Sequence, residues 1–159
     1  MSVNKYHSHI FVLPEDDANR QLAVGFVLEC STNTRQVYVL PVADGWTDVL
    51  RRFNSDHIHQ MRNVAQRFMI LLIDFDREPD RLNRARAEIP EDLIARVFIL
   101  GAWTEPEDLR TDLGFPEEIG RALARDCRDG TDLAWGHRLL QHNTGEIERL
   151  RSQLRPILF

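Results

Sequence analysis

The chain of 159 residues has almost no lysine and very little cysteine. Of its 20 basic residues, Lys5 is the only lysine and the others are arginines. A Schiff-base lysine or a phosphate-loop lysine would have to come from the N-terminal tail, which argues against both kinds of site. Cys30 and Cys127 are too few and too far apart in sequence for a paired-cysteine zinc site or a disulfide framework. They predict reduced thiols in a cytoplasmic protein.

Long apolar runs and an excess of positive charge are also missing. No run approaches the roughly 20 apolar residues of a membrane-spanning helix, and the polar residues 1–9 predict that there is no signal peptide. The chain has 25 acidic residues and a formal net charge of −5. Proteins that coat nucleic acid non-specifically are usually basic, so this charge argues against such a coat but allows a local basic patch.

Short apolar runs alternate with segments of helical periodicity over the first two-thirds of the chain. Strands are predicted at residues 9–13, 35–42, 68–73 and 96–100. Helices are predicted between them at residues 16–30, 47–66 and 80–88. The third strand, FMILLI, is apolar on both faces, which is typical of a parallel sheet covered by helices. We therefore expect one α/β domain with a mostly parallel sheet of about four strands, flanked by helices.

The last part of the chain is predicted to be helical. Pro106 and Pro116 stand where first-turn prolines belong. Further helices are predicted at residues 133–141 and 144–154, so that a core over residues 8–115 carries a helical extension over residues 116–159. The apolar stripes of this extension and its tail, residues 156–159, either pack against the sheet or contact a second copy or another protein.

Acidic residues follow three of the predicted strands. Glu15 comes directly after the first strand, Asp74 and Asp76 come directly after the third, and Glu107 follows the fourth after a short loop. Ligands of open parallel sheets bind at the carboxyl ends of the strands, where the strand order reverses. If the first and third strands are neighbours there, these acids converge, and carboxylate oxygens with open positions suit Mg²⁺ or Mn²⁺. The alternative is that such acids cap helices or lie in solvated loops, and for Asp16 and Asp17 we predict this role, with either one as the cap of the first helix.

Arginines follow the paired aspartates. Arg77, Arg81 and Arg84 come within ten residues of Asp74, and a guanidinium group binds phosphate through two parallel hydrogen bonds. These three arginines are therefore candidate phosphate ligands beside the predicted metal site. The alternative is that they pair with acids on helix surfaces.

At these residues the sequence resembles a Toprim domain, the fold shared by topoisomerases, bacterial primases and overcoming-lysogenization-defect nucleases. That family has a Glu after its first strand, here Glu15 in IFVLPEDDANRQLAVGF, and an Asp-x-Asp after its third, here the end of MILLIDFD. Gly101 to Leu109, GAWTEPEDL, is similar to the acidic stretch after the next strand of Toprim-like nucleases, and the resemblance covers about residues 8–115. Asp16 stands where the family commonly has Gly.

The resemblance implies Mg²⁺-dependent phosphoryl transfer on nucleic acid, with phosphodiester cleavage as the expected reaction. It implies that Asp74 and Asp76 bind the metal, that Glu15 is both a ligand and the general acid or base, and that Glu107 is a candidate for a second metal site. A topoisomerase also needs a tyrosine nucleophile, and neither Tyr6 nor Tyr38 is suitably placed. Of the Toprim proteins, a small nuclease or a catalytically inactive relative therefore fits this sequence best.

Two other functions fit parts of the pattern. A binding or assembly module could keep the fold and lack catalysis. A response-regulator receiver also has acids after its first and third strands and binds Mg²⁺, with Asp16, Asp17 and Asp74 in those places and Thr104 as the switch hydroxyl. Receivers carry a lysine after their fifth strand, and this sequence has no lysine after Lys5.

Overall fold

The computed structural model describes residues 6–30 and 36–159. Lys5 and Arg35, the predicted first residue of the second strand, lie outside the described residues. Among the residues that are described, no helix is long and apolar enough to cross a membrane.

Four parallel strands form one sheet, which confirms the predicted α/β fold. They are β1 (His9–Pro14), β2 (Val37–Val39), β3 (Arg67–Leu72) and β4 (Val97–Leu100), and they lie in the order β2-β1-β3-β4. Pro14 is opposite Leu72, and Leu72 is opposite Leu100, so three strands end at the same level. The second strand is shorter than predicted. After Leu40 donates to the Val12 carbonyl, Pro41 has no N–H with which to continue the ladder.

Helices cover both faces of the sheet. They are α1 (Asp17–Glu29), α2 (Trp46–Arg52), α3 (Ile58–Asn63), α4 (Arg81–Ala87), α5 (Arg110–Leu113), α6 (Pro116–Asp129) and α7 (Thr144–Leu158). The predicted helix over residues 47–66 is present as α2 and α3, joined by a π-helical turn at Phe53–His57. Alternate residues of the strands enter two separate apolar clusters, one on each face. This burial explains why the strands are nearly continuous apolar runs.

Helices α1 and α6 pack closely through two glycines. A Cβ on Gly25 would lie 2.0 Å from the carbonyl oxygen of Glu117, and one on Gly120 would lie 1.9 Å from that of Leu22. Only glycine allows the two backbones to approach this closely. The contact fixes α1, which begins beside Glu15 and therefore helps to hold the carboxyl end of β1.

The prediction of a helix over residues 133–141 is wrong. The segment forms turns, because the carboxylate of Asp126, 2 % exposed, accepts hydrogen bonds from the backbone N–H groups of Leu133, Ala134 and Trp135 at 2.7–3.2 Å. The chain wraps around this carboxylate instead of bonding within a helix. The result is a compact loop that lies next to the end of β4, where the Trp103 N–H donates to the Leu139 carbonyl at 2.8 Å.

The C-terminal helix packs on the chain's own core. Leu154 and Leu158 are buried, and Phe159 packs against the same apolar cluster, so the tail over residues 156–159 continues α7 and lies against the protein. The buried carboxylate of Glu146 accepts a hydrogen bond from the Ile99 N–H at 2.8 Å. This contact ties α7 directly to strand β4.

Candidate active site at the ends of the first and third strands

The strand order places a crevice between β1 and β3. From β1 the chain crosses to β2 on one side and then returns past β1 to β3 on the other side. Ligands of open α/β sheets bind at the carboxyl ends of the strands at such a reversal of strand order. Glu15 follows β1 and Asp74 follows β3 by two residues, so the predicted neighbours do meet at this point.

Glu15 and Asp74 are buried and directly joined. Glu15 is 8 % exposed and Asp74 is 6 % exposed. The Asp74 N–H donates a hydrogen bond to Oε2 of Glu15, and the Glu15 N–H donates to the Leu72 carbonyl at 2.9 Å. The parallel pairing of β1 with β3 therefore continues into the acidic residues and fixes their relative position.

Asn19 in the first turn of α1 is a part of the site that the sequence reasoning missed. The side chain is fully buried, and its Nδ2 donates to Oδ1 of Asp16 at 3.0 Å and to Oδ1 of Asp74 at 2.9 Å. Its own Oδ1 has no hydrogen-bond partner among the described residues. Asp16 caps α1 as predicted, accepting from the Asn19 N–H at 3.0 Å. Asn19 could have been found from the sequence, because it is a polar residue three positions after the predicted cap, in the first turn of the helix.

Burial dominates the electrostatics of the two carboxyl groups. The pKa of Asp74 is raised to about 8; burial is the largest cause, the hydrogen bond from Asn19 opposes the shift, and the negative charges of Glu15, Asp16 and Asp76 add to it. Burial also raises the pKa of Glu15, and the hydrogen bond from the Asp74 backbone opposes that shift. Both groups thus hold a proton to higher pH than exposed carboxyl groups do.

Asp76 occupies a strained turn and pairs with an arginine. Asp76 and Arg77 have positive φ angles of 47° and 60°, and the Glu78 N–H donates to the Phe75 carbonyl at 2.8 Å across them. Left-handed conformations are costly for residues other than glycine and are concentrated at functional sites. The Asp76 carboxylate, which is exposed, accepts a hydrogen bond from Arg81 at 2.7 Å.

The three arginines predicted as phosphate ligands lie in different environments. Arg81 is buried, donates to the Asp74 carbonyl at 2.7 Å as well as to Asp76, and lies over the Trp46 ring at 4.6 Å. Arg84 lies over the same ring at 5.3 Å, and its side chain is exposed. Arg77 is exposed and lines a pocket with Thr104 and Arg138. Arg81 thus acts as a brace for the acidic turn, whereas Arg77 and Arg84 face solvent.

The acids after β4 lie at the edge of the site. Glu107 is exposed on a short 3₁₀ turn at Pro106–Leu109. The negative charge of Glu107 raises the pKa of Glu105, with smaller contributions from Asp108, Asp76 and Asp16. Glu105 is therefore close enough to the Asp16 and Asp76 carboxylates to feel them, and it extends the negative potential on this side of the crevice.

The donor set fits a hard divalent cation in part. Mg²⁺ commonly takes one or two protein carboxylates and completes its shell with water and phosphate oxygens. Glu15, Asp74 and the unpartnered Oδ1 of Asn19 are oxygen donors of this kind. Asp76 is tied to Arg81 and must exchange that partner to act as a ligand. Accordingly, within residues 6–30 and 36–159 we find no group of three or more Asp, Glu, His or Cys side chains arranged to hold a metal ion.

Comparisons with known proteins neither support nor contradict the resemblance to Toprim domains. No family model matches the chain, and no curated protein and no solved structure is significantly similar to it. The Toprim resemblance therefore rests on Glu15, the Asp74–Asp76 pair and the stretch from Gly101 to Leu109, and it stays a prediction.

Proposed function

We propose that this protein performs Mg²⁺-dependent phosphoryl transfer on nucleic acid, most simply phosphodiester cleavage, at the carboxyl ends of β1 and β3. The observation that carries the proposal is the pair of buried acids at the reversal of strand order, Glu15 and Asp74, in which the Asp74 backbone N–H donates a hydrogen bond to the Glu15 carboxyl group. The fully buried Asn19, with one oxygen unpartnered, supports it independently. Neither carboxyl group forms an ion pair with another described residue, although the charge of Arg81 acts on Glu15. Buried acids without an ion pair cost stability, so a fold that keeps them together at a crevice favours a ligand role.

In this proposal Asp74, Asp76 and Glu15 hold Mg²⁺ or Mn²⁺, and Glu107 is a candidate for a second site. A bound cation supplies charge stabilisation for a phosphoryl oxygen. Asn19 orients Asp74 through the 2.9 Å hydrogen bond, and Arg81 holds the backbone of the Asp74–Asp76 turn through the Asp74 carbonyl.

Glu15 is assigned the proton transfer. Its Oε2 is held by the Asp74 N–H, so the carboxyl group has a fixed orientation and Oε1 is left to hold or release a proton. Burial raises its pKa, which moves it towards neutral pH, where a general acid or base works best. Asp17, two residues further on, is exposed and bonded to Arg20 and Gln21, which makes it a matched carboxylate without this role.

A binding module without turnover is the second candidate. The Asp76–Arg81 ion pair favours it, because a carboxylate that already has a cationic partner is a weaker metal ligand. In that case the crevice would bind nucleic acid or another phosphate-bearing partner without cutting it. The receiver is disfavoured, because Asp16 is engaged as the cap of α1 rather than left open as a metal ligand.

The discriminating experiment is a cleavage assay on single- and double-stranded DNA and RNA with Mg²⁺, with Mn²⁺ and with EDTA. The proposal predicts metal-dependent cleavage that falls by a factor of about 100 or more in Glu15→Gln and is unchanged in Asp17→Asn. Metal-dependent binding of nucleic acid without cleavage selects the binding module. Labelling of Asp74 by acetyl phosphate would select the receiver, and cleavage that Glu15→Gln leaves intact would contradict the proposal.

The compartment and the partners belong to the same proposal. Cys30 and Cys127 are free thiols, and burial raises the pKa of Cys30 to about 12, so this thiol is a poor nucleophile. We propose that the protein works in the cytoplasm, which its two free thiols support, and that nucleic acid is its partner. From the sequence we also proposed a homodimer or a protein partner bound through the C-terminal helices and the apolar tail, and light scattering of the purified chain tests the homodimer.

A further inference from the structure

A pocket of about 220 Å³ lies beside the acidic crevice and has a different charge. It is lined by Arg77, Thr104, Asp108, Arg138 and Leu139. Arg77 follows the Asp74–Asp76 turn, and Thr104 follows the end of β4, so the pocket opens at the carboxyl edge of the sheet. The pocket is therefore adjacent to the candidate metal site, but its lining includes two arginine side chains.

Arg77 is held towards this edge by its backbone. Its N–H donates to the Trp103 carbonyl at 2.8 Å while its φ is 60°. The side chain forms no ion pair or hydrogen bond with any other described residue. A strained backbone position that carries an unpaired cation is better explained by a ligand than by folding stability.

Arg138 reaches the pocket from a distant part of the sequence. The loop that carries it is fixed on both sides, since the Leu139 carbonyl accepts from the Trp103 N–H at 2.8 Å and His137 bonds Asp112 at 2.7 Å. The guanidinium group of Arg138 itself is without an ion pair in the described chain. Two fixed backbone segments thus bring to one pocket two arginines whose side chains have no ion pair within residues 6–30 and 36–159.

Thr104 adds a buried hydroxyl. The residue is 8 % exposed, and its Oγ1 has no hydrogen-bond partner in the described residues. A buried hydroxyl without a partner destabilises the folded protein, so such groups are normally hydrogen-bonded to the protein, to water or to a ligand. Thr104 is one of the residues that line the cationic pocket, and its buried hydroxyl lies next to it.

We propose that this pocket binds a phosphate group through Arg77, Arg138 and Thr104. Two guanidinium groups and one hydroxyl supply several donors to a tetrahedral oxyanion, and arginine matches phosphate in both charge and shape. Asp108 is the one acid in the lining and opposes the anion, so it limits the affinity and leaves the bound phosphate exchangeable. That the phosphate belongs to a nucleic-acid strand rests on the proposed function, whereas phosphate binding by the pocket does not.

Calorimetric titration with inorganic phosphate tests the pocket, in EDTA and at constant ionic strength. The wild type is expected to bind phosphate saturably and sodium acetate at least tenfold more weakly. Arg138→Gln and Arg77→Gln are each expected to weaken binding about tenfold or more, since charge-assisted hydrogen bonds are lost. Thr104→Val is expected to weaken it about fivefold, and Asp108→Asn to strengthen it. Arg155→Gln, at an exposed position near the end of α7, is the matched control.

The gain in Asp108→Asn separates a ligand site from a fold defect, because a destabilised variant does not bind more tightly. No saturable phosphate binding in the wild type, equal binding by Arg138→Gln, or equal affinity for acetate would each overturn the proposal. A dinucleotide with and without a 5′-phosphate then identifies whether a terminal phosphate or a diester is bound. Because EDTA is present throughout, failure of the carboxylate site leaves this result unaffected.

Discussion

The backbone N–H of Asp74 donates a hydrogen bond to the side chain of Glu15, and both residues are buried. The bond extends the parallel pairing that ends at Pro14 and Leu72. The sheet register therefore places the Glu15 side chain at the backbone of Asp74, where the negative charge of Glu15 adds to the free-energy cost of ionising Asp74. The first prediction follows from that cost.

Asp74→Asn is expected to change how stability depends on pH. The pKa of Asp74, about 8 in the fold, is above its usual value of 3.8, so the folded state keeps a proton that the unfolded state has lost. The stabilisation from this proton is complete below pH 3.8 and is lost as pH rises through 8. The free energy of unfolding of Asp74→Asn relative to wild type should therefore increase over that window, by at most about 1.4 kcal/mol per pH unit.

Urea denaturation of both proteins between pH 5 and 9 measures this difference, with about 1–3 kcal/mol/M as the slope expected in urea. Asp17→Asn is the control, because that carboxylate is exposed and has a lowered pKa. A stability difference between Asp74→Asn and wild type that stays constant with pH would show that Asp74 is ionised in the fold throughout.

Gly120→Ala is expected to destabilise the protein by at least about 2 kcal/mol, because the new methyl group meets the Leu22 carbonyl of α1. Gly145→Ala in α7 is the matched control, since a Cβ there meets nothing within 4 Å. That substitution should be neutral or stabilise by up to about 1 kcal/mol. Equal melting temperatures for the two variants would contradict the close crossing of α1 and α6.

Glu146→Ala is expected to lower the free energy of unfolding by about 3 kcal/mol. The change leaves the buried Ile99 N–H without a partner and removes the carboxylate that pairs Arg86 and Arg149. Glu148→Ala is the control, because Glu148 is exposed on the same helix. Thermal unfolding compares the two, and an equally small effect of both would show that α7 is not anchored through Glu146.

Replacements of Arg77 should separate backbone strain from ligand binding. Arg77→Gly relieves the positive φ and is expected to keep or raise stability by up to about 1 kcal/mol, while it weakens phosphate binding. Arg77→Val puts a β-branched residue at the same φ and should be at least about 1 kcal/mol less stable than Arg77→Gly. Chemical denaturation of both variants measures this order, and the reverse order would contradict the left-handed turn.

The sequence predicted the sheet well because its strands are buried on both faces. FMILLI has to be covered by helices on each side, and acids that follow neighbouring parallel strands have to share an edge. The adjacency of Glu15 and Asp74 also needs β1 and β3 to be neighbours, which the sequence left open and the strand order supplies. The turns over residues 133–141 were not predictable. The spacing of apolar residues in that segment is helical, but its backbone N–H groups bond to the carboxylate of Asp126, which lies outside the segment.

The polar surroundings of the site were harder to predict for a related reason. Arg138 joins Arg77 only because a backbone hydrogen bond brings Leu139 to Trp103. Arg81 looks like a solvent-exposed ligand in the sequence, but it is buried between the Asp74 carbonyl and the Trp46 ring. Such contacts depend on which distant segments meet, and local residue patterns carry no signal for them.

Calorimetric titration of the purified chain with Mg²⁺ and Mn²⁺ at pH 6 and pH 8 tests the central claim most directly. Bound metal has to displace the proton of Asp74, so saturable binding is expected to strengthen from pH 6 to pH 8 and to release protons to the buffer. Binding should be lost in Asp74→Asn and kept in Asp17→Asn. No saturable binding of either ion at pH 8, or equal binding by Asp74→Asn and wild type, would contradict a metal site at Glu15 and Asp74.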